Sequence, residues 1–463
     1  SCISLNMQLI AILSRIGVNM NKIIMTTALA SLSIVSSLAQ STKQWTLEEC
    51  IDYAMANNIS LKKKALDKQT AHENTLQAKA QLLPSVNAST TQGVGFRPWP
   101  NESMGMVSNG TVQRSVDKLS YNGTYGVNAN WTVWNGNKST NTLKLSKVAE
   151  EQAAADSAIT AKTIEEQITQ LYVQILYTNE ALTVNKQSYE ASLANENRGK
   201  EMVNVGKMSK ADLAQLSAQA ANDKYGIVET ESNLAKYKSQ LKQLLEITAE
   251  SGFEIVLPEA TDAQATATVP ALSFVYENAI TNRPEIVYSQ LGIKGSNLNI
   301  AIAKASYMPT ISLTGSAMTS SSSMNENSWV NQIKTNFDMA LGATVSMPIY
   351  DQRQTKTALN KARIARENAL LELDDQKKKI WNTVEGYWID ANNNQQKYLA
   401  AKSNVESAQM SYDLMSEQFR LGLKNIIELM NSKTNLIKAQ QDMLQSKYMT
   451  ILSKQMLDLY GNR

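Results

Sequence analysis

Side chains able to do covalent, acid–base or metal chemistry are scarce in this sequence. Among 463 residues there is one histidine, His72, and there are two cysteines, Cys2 and Cys50. A His/Cys metal centre needs three or four such ligands at short spacing, and a disulfide framework needs paired cysteines. No metal, cofactor or disulfide is therefore expected. No P-loop, nucleophile elbow, HExxH or dinucleotide fingerprint occurs either. Gly93-Val94-Gly95 lies in a strand candidate with no helix after it to receive a phosphate. His72 sits on a polar helical stretch and is expected to be solvated. On this inventory an enzyme is not expected. With 45 Lys+Arg against 42 Asp+Glu, the net charge of +3 also implies no basic surface for nucleic acid.

The elements around these few groups are long and repetitive. Met20-Asn21-Lys22, the apolar run Ile23–Leu38 and the small residues Ser37 and Ala39 read as a secretory signal. Residues 1–39 are thus expected to be an upstream extension plus leader, with Gln40 as the mature start. No later run of about 18 apolar residues is present, so any membrane crossing is expected to be made of strands.

The rest reads as a duplication. Leu47, Ala54, Asn57 and Pro84-Ser85-Val86 align with Leu272, Ala279, Asn282 and Pro309-Thr310-Ile311 at a constant offset of 225. Gly126, Trp134, Gly206 and Asp212-Leu213 align with Gly342, Tyr350, Gly422 and Glu428-Leu429 at an offset of 216. The slip falls in a polar Gly/Asn/Ser stretch where insertions are tolerated. The expected division is a first repeat over 40–247, an Ala/Thr/Pro-rich linker over 248–270 and a second repeat over 271–463. Each copy is expected to hold a short helix, a longer one, two strands, a very long helix (137–203; 353–420), a glycine turn and a returning helix. Pro84 and Pro309 end the second helices, because the residue before proline avoids the helical conformation.

Strict alternation carries the strand assignment. Tyr121, Tyr125, Val127, Ala129, Trp131 and Val133 occupy odd positions against Asn122, Thr124, Asn128, Asn130 and Thr132. Phe337–Ile349 alternates likewise, with Met339, Leu341, Val345 and Met347 on one face. Strands of this length cross a bilayer, but four cannot close a barrel, since the smallest membrane barrels use about eight. Open edges are not tolerated in lipid, so several copies must share one barrel. The long helices spread Asn, Gln, Lys and Ser around the cylinder and are rich in alanine, as the wall of a hollow tube would be. A coiled-coil rod has the same composition.

These features, in this order, resemble the TolC-like outer-membrane efflux proteins over about residues 44–461. The resemblance is carried by Trp45-Thr46-Leu47-Glu48-Glu49-Cys50-Ile51, the Leu83-Pro84-Ser85-Val86 and Met347-Pro348-Ile349-Tyr350 corners, and two glycine turns. Those turns read Val203-Asn204-Val205-Gly206-Lys207-Met208-Ser209-Lys210-Ala211-Asp212-Leu213 and Phe419-Arg420-Leu421-Gly422-Leu423-Lys424-Asn425-Ile426-Ile427-Glu428-Leu429. The resemblance implies an α+β fold and a homotrimer. Its twelve-stranded outer-membrane β-barrel would continue into a periplasmic α-helical barrel. It implies a passive duct for cargo delivered by an inner-membrane transporter through a periplasmic adaptor.

By the same resemblance, Val205, Gly206 and Lys207 with Leu421, Gly422 and Leu423 would dock the adaptor. Here Lys207 stands where the family often has leucine. Glu428 and Asn431 would line the pore gate, with Asn431 an amide where the family commonly has an acid. Lys424 and Phe419 with Ala211 and Asp212 would occupy the tip latch, a Lys424–Asp212 pair being the expected contact; Phe419 lacks a tyrosine hydroxyl. The alternative from the sequence is an exported helical surface or filament protein, which explains the helices but not the alternating strands.

Overall fold

The structure, a computed structural model, describes residues 44–99, 105–108, 111–114, 118–248, 253–257 and 261–461. The leader expected over 1–39, the start at Gln40 and parts of the 248–270 segment lie outside the described residues.

The first half runs β1 (Gln44–Trp45), α1 (Leu47–Asn57), α2 (Ile59–Ala80), β2 (Ser85–Phe96), β3 (Gly105–Ser108), β4 (Thr111–Arg114), β5 (Leu119–Trp134), α3 (Lys138–Asn204) and α4 (Lys210–Leu244). Between the halves come β6 (Glu254–Ile255) and α5 (Thr261–Thr266). The second half runs α6 (Leu272–Asn282), α7 (Pro284–Ala305), β7 (Thr310–Ser322), α8 (Trp329–Thr335), β8 (Asp338–Ser346), α9 (Gln354–Arg420) and α10 (Ile426–Gly461). Matched helices have equal lengths: 11 residues for α1 and α6, 22 for α2 and α7, 67 for α3 and α9. At 1.5 Å per residue the 67-residue helices are about 100 Å long.

Local chemistry sets the boundaries. Thr46 caps α1 in a reciprocal box: its hydroxyl accepts from the Glu49 N–H at 3.2 Å, and the Glu49 carboxylate accepts from the Thr46 N–H at 3.0 Å. Asn58 joins α1 to α2; its Oδ1 accepts from the Ser60 N–H at 2.8 Å, and its Nδ2 donates to the Leu244 carbonyl at 2.9 Å. At the matching junction Arg283 precedes Pro284, the first residue of α7. Its buried guanidinium donates to Glu166 at 2.9 Å and Glu285 at 2.8 Å, and lies 3.9 Å from the Tyr460 ring centre. Asn58 with Leu244 and Arg283 with Tyr460 are the same contact at the offsets of 225 and 216. The repeat extends to His72, expected to be solvated. Its Nδ1 sits 2.9 Å from the Glu150 carboxylate, and the corresponding pair is Arg366, whose Nε donates to Asn297 Oδ1 at 2.9 Å.

The main sheet has the antiparallel order β2-β5-β7-β8. Pairing of Val127 with Ala317, Trp131 with Leu313 and Ile311 with Val345 gathers the apolar residues on one face. Asn128 with Ser316 and Asn130 with Thr314 line the other. The apolar face is open in the single chain: Leu341 is 94% exposed. One expectation needs correction. A bulge after Thr132 puts Trp134, not Val133, opposite Ile311, because an extra residue flips the alternation. Among the described residues, β2 and β8 each have one edge unpaired. Among the described residues, no helix is long and apolar enough to cross a membrane.

Two apolar cores lie where the short helices meet the long ones. One gathers Ile168, Ile175, Leu241 and Leu245; the other Val275, Ile286, Val384 and Leu457. The segment expected as linker is tied into this region. β6 pairs parallel with β1, and Phe253, Ile255 and Ala265 are buried. Carbonyls at the end of α5 accept from Lys454 and Gln395, at 3.1 and 2.9 Å for Ala265, so that helix end is satisfied despite burial.

Candidate functional site

The tips of the two helical hairpins, α3–α4 and α9–α10, hold every site residue expected from the sequence. Each turn closes on a glycine in the left-handed region, Gly206 at φ +71° and Gly422 at φ +75°. Each is a two-bond helix stop: Gly206 N–H to Val203 O (3.0 Å) and Lys207 N–H to Met202 O (2.8 Å), then Gly422 N–H to Phe419 O (3.0 Å) and Leu423 N–H to Gln418 O (2.9 Å). Nothing stands within 4 Å of where a Cβ would lie at either glycine, so backbone conformation, not crowding, calls for glycine there. The returning helices start on side-chain caps. Ser209 Oγ accepts from the Asp212 N–H at 3.0 Å, and Asn425 Oδ1 accepts from the Glu428 N–H at 2.9 Å.

Val205, Leu421 and Leu423 project from the turns into solvent, with Leu423 71% exposed. Lys207 and Ala211 are exposed as well. Phe419, by contrast, is buried with Leu216, Ile426 and Leu429, so the apolar ring replaces a hydroxyl contact with packing between the hairpins. Gly199 admits this packing, since a Cβ there would come within 2.7 Å of Leu216 Cδ1.

The expected Lys424–Asp212 contact is not what the structure brings together. Lys424 Nζ lies 2.6 Å from Glu428 on the next turn, and Asp212 instead accepts from Ser209 Oγ at 2.7 Å. Both alternatives are local, three or four residues apart, and cost less chain ordering than a bridge between hairpins. Glu428 is half-exposed and Asn431 exposed, on the first turns of α10. The Arg420 guanidinium beside Glu417 holds that carboxyl below its usual range.

Above the tip lies a contact that the sequence reading missed. Lys433 of α10 is buried, and its ammonium donates to the Ser188 carbonyl at 2.8 Å, to Asp223 at 2.5 Å and to Ser192 Oγ. Asp223 also accepts from Ser192 Oγ at 2.6 Å, Ser188 Oγ at 3.1 Å and Gln219 Nε2 at 2.9 Å. Burial alone would raise the Asp223 pKa, but the hydrogen bonds from Lys433 and Ser192 outweigh it and hold the carboxyl below its usual range. Burial pushes the Lys433 ammonium down. Farther along α10, Lys447 pairs with Glu180 at 3.3 Å and Asp262 at 3.1 Å. The available signal was spacing: Lys433, Lys447 and Lys454 stand at multiples of seven, which keeps them on one helix stripe.

Among described residues, no group of three or more His, Cys, Asp or Glu is placed to hold a metal ion. The tips are two slender hairpins with apolar ends and a few polar groups near them.

Comparison with known proteins agrees with this geometry. The family model described as outer membrane efflux protein matches residues 275–460. Outer membrane protein TolC of Escherichia coli is 23% identical over 441 residues, covering 92% of this chain and 83% of that one. Outer membrane efflux protein BepC of Brucella suis is 19% identical, with 89% and 84% covered. In structure, the CmeC outer membrane channel of Campylobacter jejuni superposes with a TM-score of 0.75 at 17% identity, over 90% of this chain and 85% of that one. Over about nine-tenths of its length the chain is similar in sequence to TolC-like outer-membrane efflux proteins and shares the fold of the solved outer-membrane channels.

Proposed function

We infer that the chain is the outer-membrane channel of a tripartite efflux or secretion system, a passive duct with a periplasmic helical tunnel. The observation that carries this is one sheet with an exposed apolar face and two unpaired edges, continuous with two hairpins about 100 Å long. Unpaired edges in lipid require other copies, and three chains give twelve strands. The matched junctions support the reading of 40–247 and 271–463 as copies of one unit joined by 248–270.

Energy and cargo choice then belong to partners, an inner-membrane transporter and a periplasmic adaptor. The exposed Val205, Leu421 and Leu423 beside Gly206, Gly422 and Lys207 are the surface we assign to the adaptor. Glu428 and Asn431 are assigned to the gate. Three copies of Glu428 around an axis would draw cations, and Lys424 at 2.6 Å tempers that charge in each chain.

Purified in detergent, the protein should run as three chains in native mass spectrometry and form pores in planar bilayers. Millimolar divalent cations added from the tip side should lower conductance, because converging carboxylates suit hard cations. Glu428→Gln should weaken the block, and Asn431→Asp or Lys424→Met should strengthen it. A soluble monomer would overturn the channel reading; unchanged block in Glu428→Gln would overturn only the gate assignment.

A further inference from the structure

The loop between β7 and β8 folds into a short helix, α8, that leans on the apolar face of the sheet. Trp329 packs edge-on to Tyr125 with ring centres 6.1 Å apart, and Thr319 Oγ1 donates to the Ile333 carbonyl at 2.8 Å. Tyr125 and Thr319 are cross-strand partners on the apolar face, in line with Val127, Ala317 and Met339. The helix is firmly built. Gln332, buried, accepts from the Ser322 N–H at 2.7 Å and donates to the carbonyls of Asn325 (3.0 Å) and Asn327 (2.8 Å). Asn336 Nδ2 donates to the Ser320 carbonyl at 2.8 Å.

Such anchoring would normally cover apolar groups, yet Trp329, Val330 and Phe337 each remain 55% exposed. Helical spacing of 100° per residue places Val330 and Lys334, four apart, together and roughly opposite the buried Gln332. Lys334 is exposed. An outward apolar residue, a neighbouring tryptophan and an exposed ammonium on one short helix are the pattern of a membrane interface.

We propose that α8 is an outer-leaflet anchor: Trp329 and Val330 enter the acyl–headgroup boundary, and Lys334 meets the phosphates of lipid A. The face on which α8 rests is continuous with the exposed apolar face of the strands, which fixes the occupant as lipid. This rests on the outer-membrane reading. The connections from α2 to β2 and from β8 to α9 lie at the tunnel end, so the β7–β8 loop is at the opposite, outer end.

The test is site-directed spin labelling of the trimer in vesicles, with Cys50 replaced by alanine. Labels are placed singly at Val330→Cys and, as control, at Leu341→Cys on β8. Both should be relaxed strongly by oxygen and weakly by a water-soluble nickel chelate. Val330→Cys should be nearer the headgroups, with at least about a threefold higher nickel accessibility than Leu341→Cys. Replacing part of the phosphatidylcholine by lipid A should slow the label at Val330→Cys, and adding Lys334→Gln should remove that slowing. Water-like accessibility at Val330→Cys beside a lipid-like control overturns the anchor. So does shielding from both reagents, which would mean another protein copy covers α8. Slowing by lipid A that persists in Lys334→Gln overturns the phosphate contact. A water-like control at Leu341→Cys would instead overturn the barrel reading.

Discussion

Breaking the Lys433–Asp223 clasp should destabilise the protein unequally, depending on which partner is removed. In Asp223→Leu the buried ammonium keeps only the Ser188 carbonyl and Ser192 Oγ, both uncharged. An uncompensated buried charge costs about 3–5 kcal/mol. In Lys433→Met the Asp223 carboxylate still accepts from Ser188, Ser192 and Gln219, so the cost should be smaller, about 2 kcal/mol. The double variant replaces both charges with apolar groups and should return to within about 1–2 kcal/mol of the parent. A favourable coupling energy of roughly 3–6 kcal/mol follows, well above the few tenths seen between independent sites.

A membrane trimer, as proposed, would unfold irreversibly, so the fitting assay is kinetic: loss of helical circular dichroism in detergent at one fixed temperature. With about 1.4 kcal/mol per decade of rate, Asp223→Leu should speed unfolding by about two to three decades if the clasp opens before the barrier. The double variant should sit within about one decade of the parent. The acid limb carries a second signature. The folded Asp223 pKa lies below the unfolded value of about 3.9, so between the two the unfolded chain binds more protons. The clasp's contribution is therefore full above about pH 3.9 and fades as pH falls through the depressed folded value. The parent should thus keep it at pH 5, and the double variant should lose less stability below about pH 3.9. Additive effects in the double variant, or single variants that both unfold at the parental rate, would refute the reasoning.

Three other outcomes follow from the same structure. Gly206→Val and Gly422→Val should each cost about 1–2 kcal/mol locally, since left-handed φ strains any L-residue, and export should fall while trimers still assemble. Gly136→Ala, at φ +66° with its Cβ only 2.6 Å from Met308 Cβ and 2.8 Å from the Ala305 carbonyl, should instead lower trimer yield. Export assays and detergent gels of the three variants separate these cases; a normal trimer yield for Gly136→Ala would contradict the packing argument. Hydrogen exchange should be fastest over 421–431, where contacts are the apolar tip cluster and an exposed pair. It should slow from Lys433 to Lys454, where buried ammonium groups tie α10 to α3, α4 and α5. Equal protection across both stretches would show that the clasp anchors nothing.

What could be read in the sequence, and what could not, divides by the range of the interaction. Alternation along Tyr121–Trp134 and the glycines at 206 and 422 are local signals, enforced by pleat geometry and left-handed φ, and both stand in the structure apart from the bulge at Val133. The Lys424–Glu428 pair was also legible, because side chains four apart on a helix are neighbours whatever the fold. The expectation of a Lys424–Asp212 bridge failed by preferring a distant partner to a near one. Lys433 shows the opposite limit. On composition, α10 is an ordinary charged helix, and burial of its lysines depends on where α3, α4 and α5 pass, which no window of α10 encodes. His72 is intermediate: its partner Glu150 lies 78 residues away, and the duplicate pair Asn297–Arg366 changes both side chains while keeping the contact. Duplication conserved the places where helices touch more faithfully than the chemistry used there. A sequence comparison between the halves therefore finds the skeleton before it finds the bonds.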